Sequence, residues 1–398
     1  MGRFIPAPAR AIWWRALTAA RKWAQAPAGY LPVGEDHLRL LRDGREVFPA
    51  MLAAIAGARD EICVEMYWIG ADAVGERFRN ALVERANAGV RVRVIYDSLG
   101  SWSLPSYWWT PLIEAGGEVV EFGPVAPWRR HFRLGRVRFR DHRKVLVVDG
   151  EVAFTGGINL AWPWLPREEG GQGWRDDAVE IRGPTARQLR TLFYDTWWRV
   201  GGAMTYEGAH ARPNPASRVF VLANMVYGKP DRTIRRAYLV ALKRARRTVD
   251  IASAYFLPGP VFLHALRAAR RRGVRVRVLV PERSDVRLAD LAAHDILRTL
   301  LHDGIEVYAY RGRILHSKTA IVDRRFVTIG SHNLDTLSWR FNLESNVVVD
   351  EPAFARIVTD AFEEDLGQAI RLGAEVIRGL PPWIRALAFI AARFRALL

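Results

Sequence analysis

The apolar positions of residues 48–97 follow two periods in turn. Residues 48–60 repeat at the spacing of a helix, and residues 62–68 (ICVEMYW) form a short apolar run that is typical of a buried strand. Residues 75–89 are again helical in period and end in glycine, and residues 90–97 alternate like a strand. This order predicts a strand–helix–strand unit that follows a helix.

The same succession occurs once more, in the second half of the chain. A helical period, a strand, a helix closed by glycine and an alternating strand follow one another at 233–247, 248–256, 260–273 and 274–280. The six residues GVRVRV at 89–94 also recur letter for letter at 273–278. The sequence therefore predicts two fused copies of one α/β domain, each with a mixed β-sheet flanked by helices.

The boundary between the copies is expected in the loop 208–217, which is rich in proline, glycine and asparagine. Both ends of the chain are basic and amphipathic, which is typical of helices that lie in a membrane surface, although helices docked on the core would look similar. The organisation we predict is a basic amphipathic segment, a first repeat, a second repeat and an amphipathic C-terminal segment, at residues 1–32, 33–207, 208–365 and 366–398.

The composition indicates which class of partner the protein binds and excludes two kinds of cysteine-based site. The 398 residues carry a formal net charge of +17, which favours polyanions such as nucleic acid or an anionic membrane surface. The single cysteine, Cys63, excludes an internal disulfide and a cysteine-based zinc site. Only five of the 59 basic residues are lysines. In a chain that otherwise uses arginine, a lysine indicates a specific requirement for its compact ammonium group. No apolar run is long enough to span a bilayer, and no signal-peptide pattern is present.

Two segments, DHRKVLVVDGEVAFTGGINL (141–160) and LHSKTAIVDRRFVTIGSHNL (315–334), match each other position by position. Four pairs of polar residues in them share one constant offset along the chain: His142 and His316, Lys144 and Lys318, Asp149 and Asp323, Asn159 and Asn333. Two of the five lysines fall at these positions. His131 and His332 have no such partner, and we expect them to be loop or pocket residues.

The spacing predicts one small polar patch in each copy. The apolar runs VLVV and TAIV indicate strands, and the residues after them predict hairpin turns. Since residues i and i+2 of a strand face the same side, each histidine and its lysine point together, and the asparagine after the returning strand lies beside them. Lysine and asparagine suit the oxygens of a phosphodiester, one histidine suits attack on phosphorus, and the other suits proton transfer. Because the lysines would repel a cation, we expect no metal ion. We also expect no cofactor.

The doubled pattern H-x-K-x(4)-D, followed by G-G/S-x-N, resembles the phospholipase D superfamily over about residues 33–365. The resemblance implies two copies related by a pseudo-two-fold axis, with one active site at their interface. His142 and His316 are then the catalytic pair, and Lys144, Lys318, Asn159 and Asn333 bind the phosphate. The motif aspartates Asp149 and Asp323 complete the catalytic motifs and are mainly structural in that family.

The same resemblance implies a separate carboxylate that orients each histidine. By position these are Glu344 in NLESNVVV and Asp176 in WRDDAVEI, with Asp177 as an alternative to Asp176. The analogy favours His142 as the nucleophile and His316 as the general acid and base.

Three features favour a lipid over a nucleic acid as the substrate. Aromatic residues crowd the segments 101–112 (SWSLPSYWWTPL) and 158–166 (INLAWPWLP), and both chain ends are basic and amphipathic. Aromatic and arginine side chains also stack on single-stranded nucleic acid, so a nucleic-acid phosphodiesterase remains an alternative.

Segments such as VEMYWIGAD, RVIYDSLGS and WRDDAVEI resemble the bacterial cardiolipin synthase branch of the superfamily. The resemblance implies transfer of a phosphatidyl group between phospholipids, with phosphatidylglycerol and cardiolipin as partners, at the cytoplasmic face of the bacterial inner membrane and without spanning it. Hydrolysis of phospholipids is a further alternative, and the oligomeric state is left open.

Overall fold

The computed structural model describes residues 29–129, 132–202, 217–224 and 232–373. The first half contains the strands β1 (Leu31–Val33), β2 (Asp36–Arg42), β3 (Glu61–Met66), β4 (Arg91–Asp97), β5 (Glu118–Phe122), β6 (Arg140–Asp141), β7 (Lys144–Val148), β8 (Val152–Gly156) and β9 (Asp177–Arg182). Its helices are α1 (Asp43–Ala56), α2 (Ala73–Asn87), α3 (Thr110–Glu114) and α4 (Pro184–Arg199), and short 3₁₀ turns lie at Leu134–Arg136, Trp162–Trp164 and Arg167–Glu169.

The second half repeats this plan. Its strands are β10 (Val219–Asn224), β11 (Thr248–Ser253), β12 (Arg275–Pro281), β13 (Glu306–Tyr310), β14 (Lys318–Val322), β15 (Phe326–Gly330), β16 (Asn342–Asp350) and β17 (Ala369–Arg371). Its helices are α5 (Thr233–Arg244), α6 (Pro260–Arg271), α7 (Arg287–His302), α8 (Thr336–Arg340) and α9 (Pro352–Gly367). Each of the eight helices and strands read from the periodicity is present, and α1 begins five residues before the predicted start because its first turn is polar.

The order of the strands confirms the duplication. The first sheet runs β1-β2-β9-β8-β7-β3-β4-β5 and the second runs β10-β16-β15-β14-β11-β12-β13-β17. From β2 and β10 onwards, seven successive strands correspond one to one. In both sheets the strands of the strand–helix–strand unit pair in parallel, and the motif strand β7 or β14 pairs antiparallel beside them. Both sheets are therefore mixed, as predicted.

Each motif strand turns back through the predicted two-residue hairpin. Asp149 and Gly150 join β7 to β8 with φ of 53° and 65°, and Asp323 and Arg324 join β14 to β15 with φ of 53° and 52°. Positive φ at both central residues is the type I′ geometry, which matches the twist of the paired strands. Glycine adopts this conformation freely, whereas Arg324 does so against the preference of an L-residue.

Three apolar cores lie within the described part of the chain. One lies on the outer side of the first sheet under α1 and α2, and another lies on the outer side of the second sheet under α5, α6 and α7. The third is shared by both halves and is built from the inner faces of both sheets together with α4 and α9. The shared core fixes the two halves against each other, and this fixes the relative positions of the two motifs.

Parts of the predicted organisation lie outside the described residues. These parts are most of the segment 1–32, most of the segment 366–398, and the loop 208–217 except its last residue. Among the described residues, the first strand begins at Leu31 and the last strand ends at Arg371, whereas the predicted repeats run from 33 to 365. Within the described ranges, no helix is long and apolar enough to cross a membrane.

Candidate active site

The two motif histidines open onto one cavity between the halves. Lys144 and Lys318 are the first residues of β7 and β14, and His142 and His316 precede them by two positions. A cavity of about 390 Å³ is lined by both histidines and by Asn159 and Asn333. The structure thus brings together matched side chains from the two repeats, which lie far apart in the sequence.

Main-chain hydrogen bonds across the interface hold both histidines. The N–H of His142 donates to the carbonyl of Leu343 at 2.9 Å, next to the short parallel pairing of β6 with β16. The N–H of His316 donates to the carbonyl of Arg175 at 2.7 Å, next to a parallel bridge from Arg175 to Leu315. Each half therefore positions the histidine of the other, as the pseudo-two-fold arrangement requires.

A carboxylate from the opposite half contacts each imidazole. His142 Nδ1 lies 3.0 Å from Glu344 Oε1, and His316 Nδ1 lies 2.7 Å from Asp176 Oδ2. Glu344 and Asp176 occupy equivalent places in the two sheets. Gly330, at the end of β15, pairs with Asn346, and Glu344 lies two residues before Asn346. In the same way, Gly156 at the end of β8 pairs with Ala178, and Asp176 lies two residues before Ala178. The alternative, Asp177, instead accepts from the hydroxyls of Ser317 and Thr319 and pairs with an arginine.

The protonation of the imidazoles follows from this arrangement. Burial lowers the pKa of His142 to about 4, although Glu344 opposes the shift. Burial and Lys318 lower the pKa of His316, with Asp176 opposing them. Burial disfavours the charge of Glu344, but His142 outweighs it and lowers the pKa of Glu344 to about 2. An ionised Glu344 only accepts hydrogen bonds, so Nδ1 of His142 carries the proton and Nε2 of His142 keeps its lone pair.

The two lysines place buried positive charge beside the cavity. Lys144 Nζ donates to the carbonyl of His142 at 2.7 Å, and Lys318 Nζ lies 2.8 Å from Nδ1 of His316. Burial lowers the pKa of Lys144 to about 7 and that of Lys318 to about 8, while nearby carboxylates raise both. Because a buried cation is costly without a counter-ion, the site suits an incoming anion.

The asparagines complete the polar lining. Asn159 Oδ1 accepts from the N–H of Trp68 at 3.1 Å, which leaves its amide NH₂ as a donor. Asn333 is buried in the cavity wall, and its Oδ1 has no hydrogen-bond partner among the described residues. In the described part of the chain, no group of three or more His, Cys, Asp or Glu side chains could hold a metal ion.

The motif aspartates Asp149 and Asp323, grouped above with the catalytic motifs, do not line the cavity. Asp149 lies five residues beyond Lys144 along an extended strand, roughly 17 Å away. Its carboxylate accepts from the N–H groups of residues 59, 60 and 61. Asp323 accepts in the same way from the N–H groups of residues 246, 247 and 248. Both fix the hairpin turn to the start of a neighbouring strand, which is a structural role.

Aromatic side chains that sequence reasoning did not assign to the site form much of its wall. Trp164 donates from Nε1 to Asp176 at 3.0 Å, and its ring centroid lies 5.1 Å from that of His316. Trp174 lies 5.5 Å from the same imidazole, and Tyr67 lies 4.8 Å from the ring of His142. A tryptophan pattern signals burial or an interface equally well, so no local signal identified these contacts.

The two aromatic-rich segments contain both buried and exposed side chains. In 158–166, Trp164 is 1% exposed and belongs to the site, whereas Trp162 is 41% exposed. In 101–112, two of the tryptophans are buried in the core, while Trp102 and Tyr107 are largely exposed. His332, in the loop after β15, is buried with its ring centroid 4.0 Å from that of Trp339, and His131 lies outside the described residues.

Comparisons with known proteins agree with this geometry. The family model described as "Cardiolipin synthase, PLD-like domain" matches residues 51–196 and 238–366. A cardiolipin synthase of Geobacillus sp. (strain WCH70) is 32% identical over 368 residues, which cover 90% of this chain and 72% of that protein. The major cardiolipin synthase ClsA of Bacillus subtilis (strain 168) is 31% identical, with 88% of this chain and 73% of that protein covered.

A solved structure shows the same fold at low sequence identity. The phosphatidylserine synthase of Haemophilus influenzae Rd KW20 superposes with a TM-score of 0.69 at 15% identity, covering 96% of this chain and 98% of that one. Both the sequence relatives and the two-segment family match span the two motif-bearing halves. The chain belongs to the cardiolipin synthase, PLD-like domain family of the phospholipase D superfamily.

Proposed function

We propose that this protein transfers a phosphatidyl group from one phospholipid to another and forms cardiolipin from two molecules of phosphatidylglycerol. The observation that carries the proposal is the pair of imidazoles, His142 and His316, opening onto a single cavity with a carboxylate behind each Nδ1. The named activity of the relatives supports the choice of lipids.

In the first half-reaction, His142 is the nucleophile. Its Nε2 lone pair attacks the phosphorus of phosphatidylglycerol, and the bond from phosphorus to the glycerol oxygen breaks. His316, protonated in the substrate complex, gives its Nε2 proton to the departing glycerol oxygen. Glycerol leaves, and the phosphatidyl group stays on His142.

The second half-reaction reverses these roles with a new alcohol. A hydroxyl of a second phosphatidylglycerol gives its proton to His316, its oxygen bonds to phosphorus, and the bond from His142 Nε2 to phosphorus breaks. Lys144, Lys318 and the site asparagines hold the non-bridging oxygens and the charge that develops on them. Water in place of the second lipid would give hydrolysis by the same steps.

The substrate itself supplies the proton balance that this scheme needs. In the empty site, burial and the neighbouring lysines favour neutral imidazoles. A phosphodiester brings one negative charge into the same low-dielectric space, which raises the pKa of the nearby imidazoles and amines. The imidazolium required for leaving-group protonation therefore forms when the anion binds.

Exposed apolar side chains support a membrane partner over a nucleic acid. Trp102 is 80% exposed and Trp128 is 84% exposed, and both line one cleft beside the loop that carries Leu99. Leu99 is itself exposed and lines the catalytic cavity. Tryptophan side chains of this kind settle at the boundary between water and lipid. We place the protein on the cytoplasmic face of the bacterial inner membrane, bound at its surface.

The test is a vesicle assay with products identified by mass. Purified protein is incubated with phosphatidylglycerol vesicles, and cardiolipin and glycerol are expected in equal amounts. The variants His142→Asn and His316→Asn should each abolish both products, whereas His302→Asn, at an imidazole that is 91% exposed, serves as the control. Phosphatidic acid without cardiolipin would assign hydrolysis instead, and cleavage of single-stranded DNA without lipid turnover would assign the nucleic-acid alternative.

A further inference from the structure

The catalytic cavity is symmetric in its histidines and asparagines but not in its walls. Beside His316, the wall is formed by Tyr255 and by Asp285, which lies in the loop after β12. In the first half, the loop at the corresponding end of β4 contributes Leu99. One side of the cavity therefore carries a carboxylate where the other side carries an apolar side chain.

Asp285 is held in a defined position by Tyr255. The Tyr255 hydroxyl donates to the carboxylate, with its oxygen 2.7 Å from Oδ1 and 2.8 Å from Oδ2. Tyr255 follows β11, whose last residue pairs with Lys318, and its ring is perpendicular to that of His316 at a centroid distance of 6.3 Å. The residue Asp285 is exposed, so its carboxylate can accept further hydrogen bonds from a ligand in the cavity.

A carboxylate at this position does not bind the phosphate group of the substrate. It repels the phosphodiester anion and weakens the field of Lys318, so its presence calls for a second kind of ligand group. A carboxylate accepts strongly from hydroxyl groups. The reaction proposed above brings such groups to the side of His316, first on the departing glycerol and then on the incoming alcohol.

We propose that Asp285, positioned by Tyr255, forms a subsite for a polyol headgroup and selects glycerol-type alcohols for transfer. This inference rests on the proposed phosphatidyl transfer. One hydroxyl of the polyol gives its proton to His316 and attacks phosphorus, while another donates to Asp285 and holds the headgroup in line. A monohydric alcohol of the same length has no second hydroxyl to donate.

The experiment compares two alcohols that compete for the same intermediate. The full-length protein is incubated with phosphatidylglycerol vesicles, isotopically labelled glycerol and 1-propanol at equal concentrations. The initial ratio of labelled phosphatidylglycerol to phosphatidylpropanol is read by mass spectrometry. Because both products arise from one phosphohistidine, their ratio does not depend on how fast that intermediate forms.

Asp285→Ala should lower the glycerol-to-propanol product ratio by about tenfold or more, the effect of losing one hydrogen bond to a charged group. Tyr255→Phe should lower it in the same direction but less, since the carboxylate remains without its anchor. Glu282→Ala is the matched control, because Glu282 lies in the same loop but binds Arg311 and does not line the cavity. This control should keep the wild-type ratio.

Three results would overturn the subsite. An unchanged ratio in Asp285→Ala, or an equal loss of both products, would show that Asp285 does not select the acceptor. Ethanolamine can be added to the same assay as a third acceptor. If Asp285→Ala lowers transfer to ethanolamine but keeps the glycerol-to-propanol ratio constant, the carboxylate binds an ammonium group instead of a hydroxyl group. A wild-type protein that turns over no phospholipid at all would contradict the proposed function, and the subsite would fall with it.

Discussion

Replacing Glu344 with glutamine removes the charge behind His142 and leaves the shape of the side chain. The carboxylate is fully buried and lies 3.0 and 3.1 Å from Nδ1 of His142, while Ser331 and Asn342 also donate to it. The amide of glutamine can still accept one hydrogen bond, but it no longer balances the positive charge that the ring acquires when phosphorus bonds to Nε2.

The size of the effect follows from that contact. A hydrogen bond to a charged group contributes about 1.5–3 kcal/mol. A full charge pair about 4 Å apart contributes about 4 kcal/mol at an effective dielectric of about 20. The variant should therefore lose about 10- to 1,000-fold in the rate of cardiolipin formation. Asp176→Asn, the equivalent change behind His316, should fall in the same range.

The assay is the initial rate of cardiolipin formation on phosphatidylglycerol vesicles, with the unfolding temperature measured in parallel. Glu364→Gln, at a carboxylate whose side chain is 65% exposed, is the control. If Glu344→Gln folds normally and retains more than about one third of the wild-type rate, the carboxylate does not support the charge on His142, and the reasoning is refuted.

Three further outcomes are expected. Lys144→Arg should reduce the activity by about tenfold or more while the fold stays intact, because a planar guanidinium does not fit the buried position of the ammonium group. Full activity of this variant in the vesicle assay would contradict the prediction. Sulfate, whose charge is constant over this range, should bind the free protein more weakly as the pH rises from about 6 to 9. The cause is the loss of protons from Lys144 and Lys318, whose pKa values are about 7 and about 8. Calorimetry that shows a constant or rising affinity for sulfate would exclude this explanation. Because Arg324 and Gly150 both have positive φ, Arg324→Gly should raise the free energy of unfolding by about 0.5–1 kcal/mol, and Gly150→Ala should lower it by about 1 kcal/mol. Denaturant unfolding in which these changes in free energy have the opposite signs would refute the turn assignment.

The paired polar residues could be predicted because they lie in short, local patterns. His142 and His316, with their lysines and asparagines, keep one constant offset along the chain, and strand periodicity places each histidine and its lysine on one face. The orienting carboxylates, Asp176 and Glu344, are closer together in the sequence than the other pairs. A constant offset therefore does not align them, and the family resemblance was needed to find them.

The cavity walls could not be predicted, because they depend on how the two halves pack. Trp164 contacts an imidazole of the other half, and Tyr255 and Asp285 meet across two separate loops. No sequence period records such contacts. For the same reason, composition could not separate buried aromatic residues such as Trp164 from exposed ones.

The central claim is that two remote halves of the chain act on one phosphorus atom. A crystal structure of the protein soaked with vanadate tests this directly. We expect a single vanadate in the cavity, bonded to Nε2 of one histidine, with Nε2 of the other within hydrogen-bond distance of the oxygen on the opposite side. Two vanadates bound separately, each touching only one of the histidines, would contradict the account.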